Sequence, residues 1–231
     1  MDESEIRAAI VAFSRKAVAQ GLSEGTSGNI SVRHGQGMLI TPSGVAPEAM
    51  QADQIVEIGP DGPTNGSWKP SSEWALHARL YTARPEGRAI VHAHPPHCVA
   101  LSCLREPMPP FHYMIAAFGG DEVPCAPYAT FGTEALAEAV AVTMGARYHA
   151  CLMANHGMIA LGADLESAYQ RAETLETLAR QYHLARTMGR VVLLSSDEMA
   201  AAHAAFGSYG YCRPEMTDTA SRARAFSDSG L

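Results

Sequence analysis

The chain has 231 residues, of which 47% are hydrophobic and 18% are charged, a composition typical of a globular protein with one sizeable core. The net charge of -7 argues against general nucleic-acid binding, since there is no basic excess to neutralise phosphates. No apolar stretch approaches the roughly 20 residues that span a bilayer, and the acidic N-terminus does not resemble a signal peptide. The five cysteines, an odd number without a C-x-x-C spacing, favour free thiols. We therefore expect a soluble, cytoplasmic protein that does not associate with membranes.

The first third of the chain predicts a helix followed by short strands. Apolar residues recur at spacings of three and four from Ile6 to Ala17, which indicates an amphipathic helix over 3–20. Strands are predicted at 30–32, 38–41 and 55–58, the first two joined by a hairpin turn at 34–37. The next helix is predicted from Pro70 to about Thr82, with Ser71 or Ser72 as its N-cap.

The remaining two thirds of the chain continue the alternation of helices and strands. A strand at 89–91 is followed by a short helix through residue 104, and the five prolines of 105–130 predict an irregular connection with a helical turn near Met114. Helices are predicted at 133–144 and 164–188, strands at 150–153 and 158–161, and a last helix from Ser195 or Ser196. Asp164 and Gly189 are the expected ends of the long helix.

This order of elements predicts the fold class and the domain organisation. Because helices and antiparallel hairpins are interspersed, the fold is α/β with a mixed sheet. We find no internal repeat and no linker long enough to separate domains. We expect one domain over 1–215 and a small, polar tail over 216–231 that is mobile.

A His-x-His pair at the end of the 89–91 strand is the strongest functional signal. Side chains two apart in a strand point to the same face, so His92 and His94 present both imidazoles to one side. Two imidazoles held in this way suit zinc or a similar divalent ion. Taken alone, however, the pair is also compatible with two hydrogen-bonded polar residues at a strand end.

Glu73 and His156 are the best candidates for further metal ligands. Glu73 is predicted in the first turn of a helix, where the helix dipole favours an acidic residue in any case. His156 lies in an Asn-His-Gly turn between two apolar strands, where it is also explained as a turn residue. Three imidazoles and one carboxylate at the ends of elements nevertheless form a plausible metal set. His77 follows Glu73 by four residues, but Glu/His pairs at this spacing are common on helix faces, so we do not expect His77 to be a ligand.

Three loops of small residues are candidates for a phosphate pocket. They are 26–29 (Thr-Ser-Gly-Asn), 41–44 (Thr-Pro-Ser-Gly) and 70–72 (Pro-Ser-Ser). Hydroxyl groups, an amide and glycine N–H groups can surround a phosphate without a lysine. Each loop taken singly is also explained as a turn or a cap. No nucleotide-binding glycine motif is present in the sequence.

Together these motifs resemble the class II aldolase/adducin family over nearly the whole chain, to about residue 211. The resemblance is carried by 25–29, 41–44, 71–73, 92–94, 111–117, 124–133 and 155–157. It implies α/β/α layers around a largely antiparallel sheet, and a homotetramer with active sites between neighbouring subunits.

The resemblance also implies a role for each matching residue. His92, His94 and His156 hold one Zn2+ per subunit, and Glu73 is the fourth ligand and the acid/base. Tyr113 and Tyr209 reach the site from the adjacent subunit. The phosphate pocket is formed by Thr26, Gly28, Asn29, Ser43, Gly44, Ser71 and Ser72. Other divalent metals are compatible with this ligand set.

The implied activity is zinc-dependent, reversible cleavage of a ketose 1-phosphate to dihydroxyacetone phosphate and an aldehyde. The candidate substrates are L-fuculose 1-phosphate and a 5-deoxypentulose or methylthioribulose 1-phosphate. Two other activities of the family remain open, a pentulose-5-phosphate 4-epimerase and a phosphosugar-acid decarboxylase, although such epimerases tend to carry Asp in place of Glu73. The complete ligand set argues against a non-catalytic, adducin-like protein. Residues from Cys212 onward depart from the family pattern, which leaves the aldehyde open.

Overall fold

The computed structural model describes residues 2–64 and 66–208. The helices in these ranges are α1 (Glu3–Ala19), α2 (Trp74–Ala83), α3 (Pro96–Ser102), α4 (Glu134–Met144), α5 (Leu165–Met188) and α6 (Ser196–Ser208), with short 3-10 helices at Ala52–Gln54 and Tyr113–Phe118. The strands are β1 (Asn29–His34), β2 (Gly37–Ile40), β3 (Val56–Gly59), β4 (Gly62–Pro63), β5 (Ala89–Ala93), β6 (Cys125–Ala126), β7 (Ala150–Met153) and β8 (Gly157–Gly162). None of the described helices is both long and apolar enough to cross a membrane.

The strands form a single mixed sheet in the order β4-β3-β2-β1-β5-β8-β7-β6. Neighbouring strands are antiparallel except for β6, which runs parallel to β7. Strand β5 is central and pairs with β1 on one side and β8 on the other. The single-domain α/β fold with a largely antiparallel sheet, expected from the sequence, is therefore confirmed.

The two faces of the sheet carry separate hydrophobic cores. In β5, Val91 belongs to the core beneath α1, α3 and α5, whereas Ile90 belongs to the core beneath α2 and α4. This alternation follows from the pleat of the strand, which sends successive side chains to opposite faces. Since helices cover both faces, the molecule has the three α/β/α layers that the resemblance implied.

Most predicted elements are confirmed, and the differences are local. The strands β4 and β6 were missed because two residues are too few to show an alternating pattern. The prediction that Ser71 or Ser72 caps α2 is wrong, because the helix begins at Trp74 and its N-cap is Glu73, which makes no side-chain cap bond. The Ser71 hydroxyl instead accepts a hydrogen bond from the backbone N–H of Glu73 at 3.3 Å. The predicted tail, 216–231, lies outside the described residues.

Four element ends converge at one end of the sheet. Asn29, the first residue of β1, is directly opposite His92 in β5. His92 is in turn opposite Ile159 in β8, and the turn that begins β8 contains His156. The start of α2, with Glu73 as its cap, lies against this corner through contacts with Asn29 and His92. The topology thus brings together residues far apart in sequence.

Candidate metal centre and adjoining cavity

Three histidines form a compact cluster at this corner. The ring centroids of His92, His94 and His156 are 4.7–4.9 Å apart, and each pair of rings is roughly perpendicular. One ring nitrogen of each histidine lies within 4.8 Å of the others. His92 is fully buried, and its Nε2 is 2.9 Å from His94 Nε2. β5 ends at Ala93, so His94 directly follows the strand, and the rings of His92 and His94 lie together as predicted.

A hydrogen bond sets the orientation of the His92 ring. Its Nδ1 lies 2.8 Å from the backbone carbonyl of Met158, to which it donates. In the neutral ring this leaves the Nε2 lone pair directed into the cluster, as in metal sites whose histidines are held by an outer hydrogen bond. The bond to Met158 comes from β8, the strand paired with β5.

Glu73 completes the cluster from the start of α2. Its Oε2 accepts a hydrogen bond from Asn29 Nδ2 at 2.9 Å and lies 3.1 Å from His92 Nε2. Its Oε1 is 3.5 Å from His156 Nε2 but has no hydrogen-bond partner among the described residues. Because the carboxylate is only 6% exposed, an unpartnered oxygen at this point is costly unless a cation binds it.

These distances fit a tetrahedral divalent ion. Ligand atoms about 2.0–2.1 Å from a central zinc would be roughly 3.4 Å apart. The His92–His94, Glu73–His92 and Glu73–His156 contacts are 2.9, 3.1 and 3.5 Å, and the ligand nitrogens of the three histidines all lie within 4.8 Å of one another. The orphaned oxygen and the facing ring nitrogens provide the donors that such an ion requires. The residues present therefore fit the divalent metal that the sequence predicts.

The surroundings keep His94 and His156 neutral. Burial, followed by the proximity of His92, lowers the pKa of His94 to about 3 and that of His156 to about 4. Both rings thus offer lone pairs near neutral pH, and binding a metal there displaces no proton from them.

For Glu73 and His92, the interaction between the two groups outweighs the effect of burial on their pKa values. Burial raises the pKa of the Glu73 carboxyl, but the facing His92 and the hydrogen bonds outweigh it and hold that pKa well below its ordinary value. For His92, burial lowers the pKa, and the Glu73 carboxylate outweighs this effect and raises it. Glu73 is therefore an anion in this site.

A cavity of about 420 Å³ opens beside the metal cluster. It is lined by Glu73, His94 and His156, and also by every residue predicted for the phosphate pocket: Thr26, Gly28, Asn29, Ser43, Gly44, Ser71 and Ser72. The described residues that line it include no lysine or arginine. The structure thus brings the three small-residue loops to one cavity wall, next to the histidines and the carboxylate.

The backbone holds these loops in place. The Ser43 N–H donates to the carbonyl of Lys69, and the Ser71 N–H donates to the carbonyl of Thr41, so the second and third loops are hydrogen-bonded to each other. Gly28 has a φ of +78°, and a Cβ at this position would lie 2.8 Å from the carbonyl oxygen of His92. Only glycine allows the first loop to pass so close to the metal cluster.

Tyr113, predicted to act at the site, is not part of this cavity. It begins the 3-10 helix Tyr113–Phe118, is 56% exposed, and stacks between His112 and Phe206. It lines a separate cavity of about 380 Å³ with residues of α6. Tyr209, the second predicted tyrosine, lies outside the described residues.

Four further residues line the main cavity to which the sequence patterns assign no role: Tyr128, Ala129, Phe131 and Asn155. Tyr128 and Phe131 are large aromatic side chains that are 56% and 66% exposed. Asn155 has a left-handed backbone (φ 53°), and its Oδ1 accepts a hydrogen bond from Arg105 at 2.7 Å. Asn155 precedes His156 directly, so its position in the Asn-His-Gly turn is a signal that could have identified it.

Comparison with known proteins agrees with this geometry. A family model described as "Class II Aldolase and Adducin N-terminal domain" matches residues 8–183. The chain is 43% identical over 212 residues to an L-fuculose phosphate aldolase of Escherichia coli O6:H1, covering 91% of this chain and 98% of that protein. It is 41% identical over 205 residues to a 5-methylthioribulose-1-phosphate/5-deoxyribulose-1-phosphate aldolase of Rhodospirillum rubrum, covering 89% and 92%. A solved structure of an L-fuculose 1-phosphate aldolase superposes with a TM-score of 0.84 at 38% identity, covering 90% and 98%.

Proposed function

The chain belongs to the class II aldolase and adducin family and is a lyase, and from this premise we propose that it is a zinc-dependent aldolase. The proposed reaction is reversible cleavage of a ketose 1-phosphate to dihydroxyacetone phosphate and an aldehyde. One observation carries the proposal: a buried carboxylate, one oxygen of which has no hydrogen-bond partner among the described residues, lies beside a cluster of three imidazoles at a cavity rich in hydroxyl groups.

We assign the metal to His92, His94, His156 and, before substrate binds, Glu73. The ion supplies a Lewis acid that stabilises the negative charge released when the carbon–carbon bond breaks. A Schiff-base lysine is not needed for this chemistry, and the two lysines of the chain are poorly placed for it. Lys16 is 3.6 Å from Glu173 and lies over the Tyr169 ring, and Lys69 is exposed.

Glu73 is the proposed acid and base at carbon. Its carboxylate is anionic, buried and 3.1–3.5 Å from two imidazole nitrogens, and Oε1 is the oxygen that no residue in 2–64 or 66–208 hydrogen-bonds. In the direction of synthesis this oxygen would take a proton from the hydroxymethyl carbon of dihydroxyacetone phosphate, and in cleavage it would return the proton to the same carbon. The hydrogen bond from Asn29 holds the other oxygen in place.

The phosphate is proposed to bind among neutral donors. The hydroxyl groups of Thr26, Ser43, Ser71 and Ser72 line the cavity together with the Asn29 amide and the two glycines, Gly28 and Gly44. Hydrogen-bond donors without a fixed cation can hold a phosphate when several converge. Binding at this wall would orient the ketose so that its reacting carbons lie beside Glu73.

Tyr113 and Tyr209 are proposed to act on the active site of a neighbouring subunit in a homotetramer. Tyr113 is exposed and lines a cavity other than the one that contains Glu73, which is consistent with a role in another subunit. There Tyr113 would relay the proton of the substrate hydroxyl group as the aldehyde leaves, its phenol oxygen accepting that proton while its own O–H proton passes to solvent.

Subunit mixing tests this arrangement. We expect Tyr113→Phe and Glu73→Gln proteins to be nearly inactive separately and to regain part of the activity when unfolded together and refolded. Mixed oligomers would then contain some sites with both residues intact. If mixing restores nothing, although each variant alone refolds to the native oligomer, the shared site is refuted.

The substrate is tested with a panel of ketose 1-phosphates, because relatives named for two different substrates are almost equally similar to this chain. Zinc-loaded protein is assayed for dihydroxyacetone phosphate with a coupled reductase, and the ranking of L-fuculose, 5-deoxyribulose and methylthioribulose 1-phosphates identifies the aldehyde. Release from none of them would overturn the proposal, and assays on pentulose 5-phosphates and phosphosugar acids would then test the epimerase and decarboxylase alternatives.

We also propose that the protein acts in the cytoplasm, where its cysteines would remain reduced.

A further inference from the structure

A buried chain of hydrogen bonds runs from Tyr81 to the carboxylate of Glu73. The Tyr81 hydroxyl is 2.9 Å from Ser31 Oγ, which is 2.6 Å from His77 Nδ1. His77 Nε2 is 2.6 Å from Asn29 Oδ1, and Asn29 Nδ2 is 2.9 Å from Glu73 Oε2. All five side chains are at least 93% buried, so water does not compete for these bonds.

The positions of the protons follow from the carboxylate end. At this end Asn29 Nδ2 donates to the Glu73 carboxylate oxygen, so Asn29 presents Oδ1 to His77. His77 must therefore carry its proton on Nε2, which leaves Nδ1 to accept from Ser31. Ser31 in turn accepts from the Tyr81 hydroxyl. Every donor in the chain points toward Glu73.

Two periodicities bring these residues together. Asn29 and Ser31 are two apart in β1 and face α2, while Glu73 and His77 are four apart along α2. The spacing of Glu73 and His77 thus has a consequence other than metal binding, because both ring nitrogens of His77 are occupied by Asn29 and Ser31. Since an amide lies between His77 and Glu73, the chain orients groups and does not conduct protons.

From this arrangement we infer that His77 is a positioning residue for the acid/base Glu73, acting through the side-chain amide of Asn29. The inference rests on the proposed function of Glu73. If His77 did not hold Oδ1, the Asn29 amide could rotate and turn its oxygen toward the carboxylate, where two acceptors repel. Glu73 Oε2 would then lose its hydrogen bond from Asn29. This bond fixes the carboxylate so that Oε1, which has no partner among the described residues, is the oxygen that exchanges the proton. Burial, the largest influence, lowers the pKa of His77 to about 3, so the ring stays neutral and keeps one proton to donate.

The decisive test is a partial reaction that needs Glu73 but no aldehyde. Zinc-loaded protein is incubated with dihydroxyacetone phosphate in D2O, and exchange of the hydroxymethyl hydrogen is followed by proton NMR. His77→Phe should cost the hydrogen bond from Asn29 to the Glu73 carboxylate, and losing one bond to a charged group predicts roughly 10- to 100-fold slower exchange. Zinc content should be unchanged, and KM should change little. His77→Gln, whose amide can donate to Asn29 and accept from Ser31, should recover most of the rate.

Tyr81→Phe is the matched control, since it removes the far end of the chain, a buried hydroxyl that bonds Oγ and the backbone carbonyl of Ser31. It should slow exchange less than about threefold. If His77→Phe exchanges at the wild-type rate, or if His77→Gln is as slow as His77→Phe, the inference is wrong. Should His77→Phe fail to fold, Ser31→Ala replaces it with the same expected direction and a smaller loss.

A second measurement separates this inference from the proposed function. Nitrogen-15 NMR of the wild-type protein reports which ring nitrogen of His77 carries the proton, and the structure requires Nε2. The Nδ1 tautomer would refute the chain of hydrogen bonds. If wild-type protein shows the Nε2 tautomer but catalyses no exchange, the proposed function fails while the hydrogen-bond chain stands.

Discussion

Replacing Glu73 with Gln separates the catalytic role of the carboxylate from its structural role. The amide keeps the length of the side chain, so its oxygen can still accept from Asn29 Nδ2 at about the present 2.9 Å, and the three imidazoles remain in place. The geometry should therefore survive, and zinc content should remain near that of the wild type. What is lost is the negative charge and the basic oxygen beside His92 and His156.

The expected loss of activity follows from the proposed acid/base role of Glu73. General acid–base catalysis contributes roughly 100- to 10,000-fold to a rate, so we expect kcat to fall by that factor, equivalent to about 3–5.5 kcal/mol. The free energy of unfolding should change by less than about 2 kcal/mol, because the carboxylate is what raises the pKa of His92, so without it the ring becomes neutral and no unpaired charge stays buried.

The assay is release of dihydroxyacetone phosphate coupled to its reductase, with zinc measured on the same samples. Glu138→Gln is the matched control, since it makes the same chemical change at an exposed residue paired with Arg79 and should leave kcat unchanged. Full activity of Glu73→Gln with zinc bound would refute the acid/base role. Loss of zinc together with activity would show that Glu73 acts mainly as a ligand.

Three further predictions concern the metal and the segments that hold its ligands. Removing zinc with a chelator should lower the thermal midpoint. Zinc at about 100 times its Kd adds about 2.7 kcal/mol to the free energy of unfolding, which corresponds to roughly 5–10 °C. An unchanged midpoint would argue against metal binding. Gly157→Ala would place a Cβ 2.8 Å from His94 Cδ2 and 2.5 Å from the Ala93 carbonyl oxygen. Because the His94 ring must then move, we expect zinc affinity to weaken about tenfold or more. Competition with a chromogenic chelator measures this affinity. Glu176→Ala removes the carboxylate that accepts hydrogen bonds from the backbone N–H groups of His97 and Cys98 at the start of α3. Urea denaturation should show that the free energy of unfolding falls by about 1–3 kcal/mol. No change would mean that this cap does not stabilise α3.

Local patterns in the sequence predict most of the fold and much of the candidate site. The strand pattern at 89–91 predicts His92 and His94 on one side, and the structure shows their rings 4.7 Å apart, although β5 ends at Ala93. The helix signals at Asp164 and Gly189 are confirmed, because caps and stops depend on neighbouring residues only. The small-residue loops were identified one by one, and the structure places them on one cavity wall.

What the sequence does not predict depends on contacts between distant residues. His77 lies 48 residues from Asn29, so their hydrogen bond has no local signature, and the sequence offers His77 only as a weak candidate for a metal ligand. The same holds for Glu176, which lies 79 residues from the His97 that it binds. The start of α2 was misplaced because Ser71 is a favourable cap by type, whereas its backbone N–H is bonded to Thr41 and it lies before the helix.

The measurement that tests the central claim most directly is reconstitution of the metal-free protein with zinc. Dihydroxyacetone phosphate release is measured as zinc is added in steps to protein at a concentration well above its Kd. If His92, His94, His156 and Glu73 form one site per chain, activity rises from near zero and stops increasing at one zinc per chain. Activity that is already full before zinc is added, or that does not respond to zinc at all, would contradict the account.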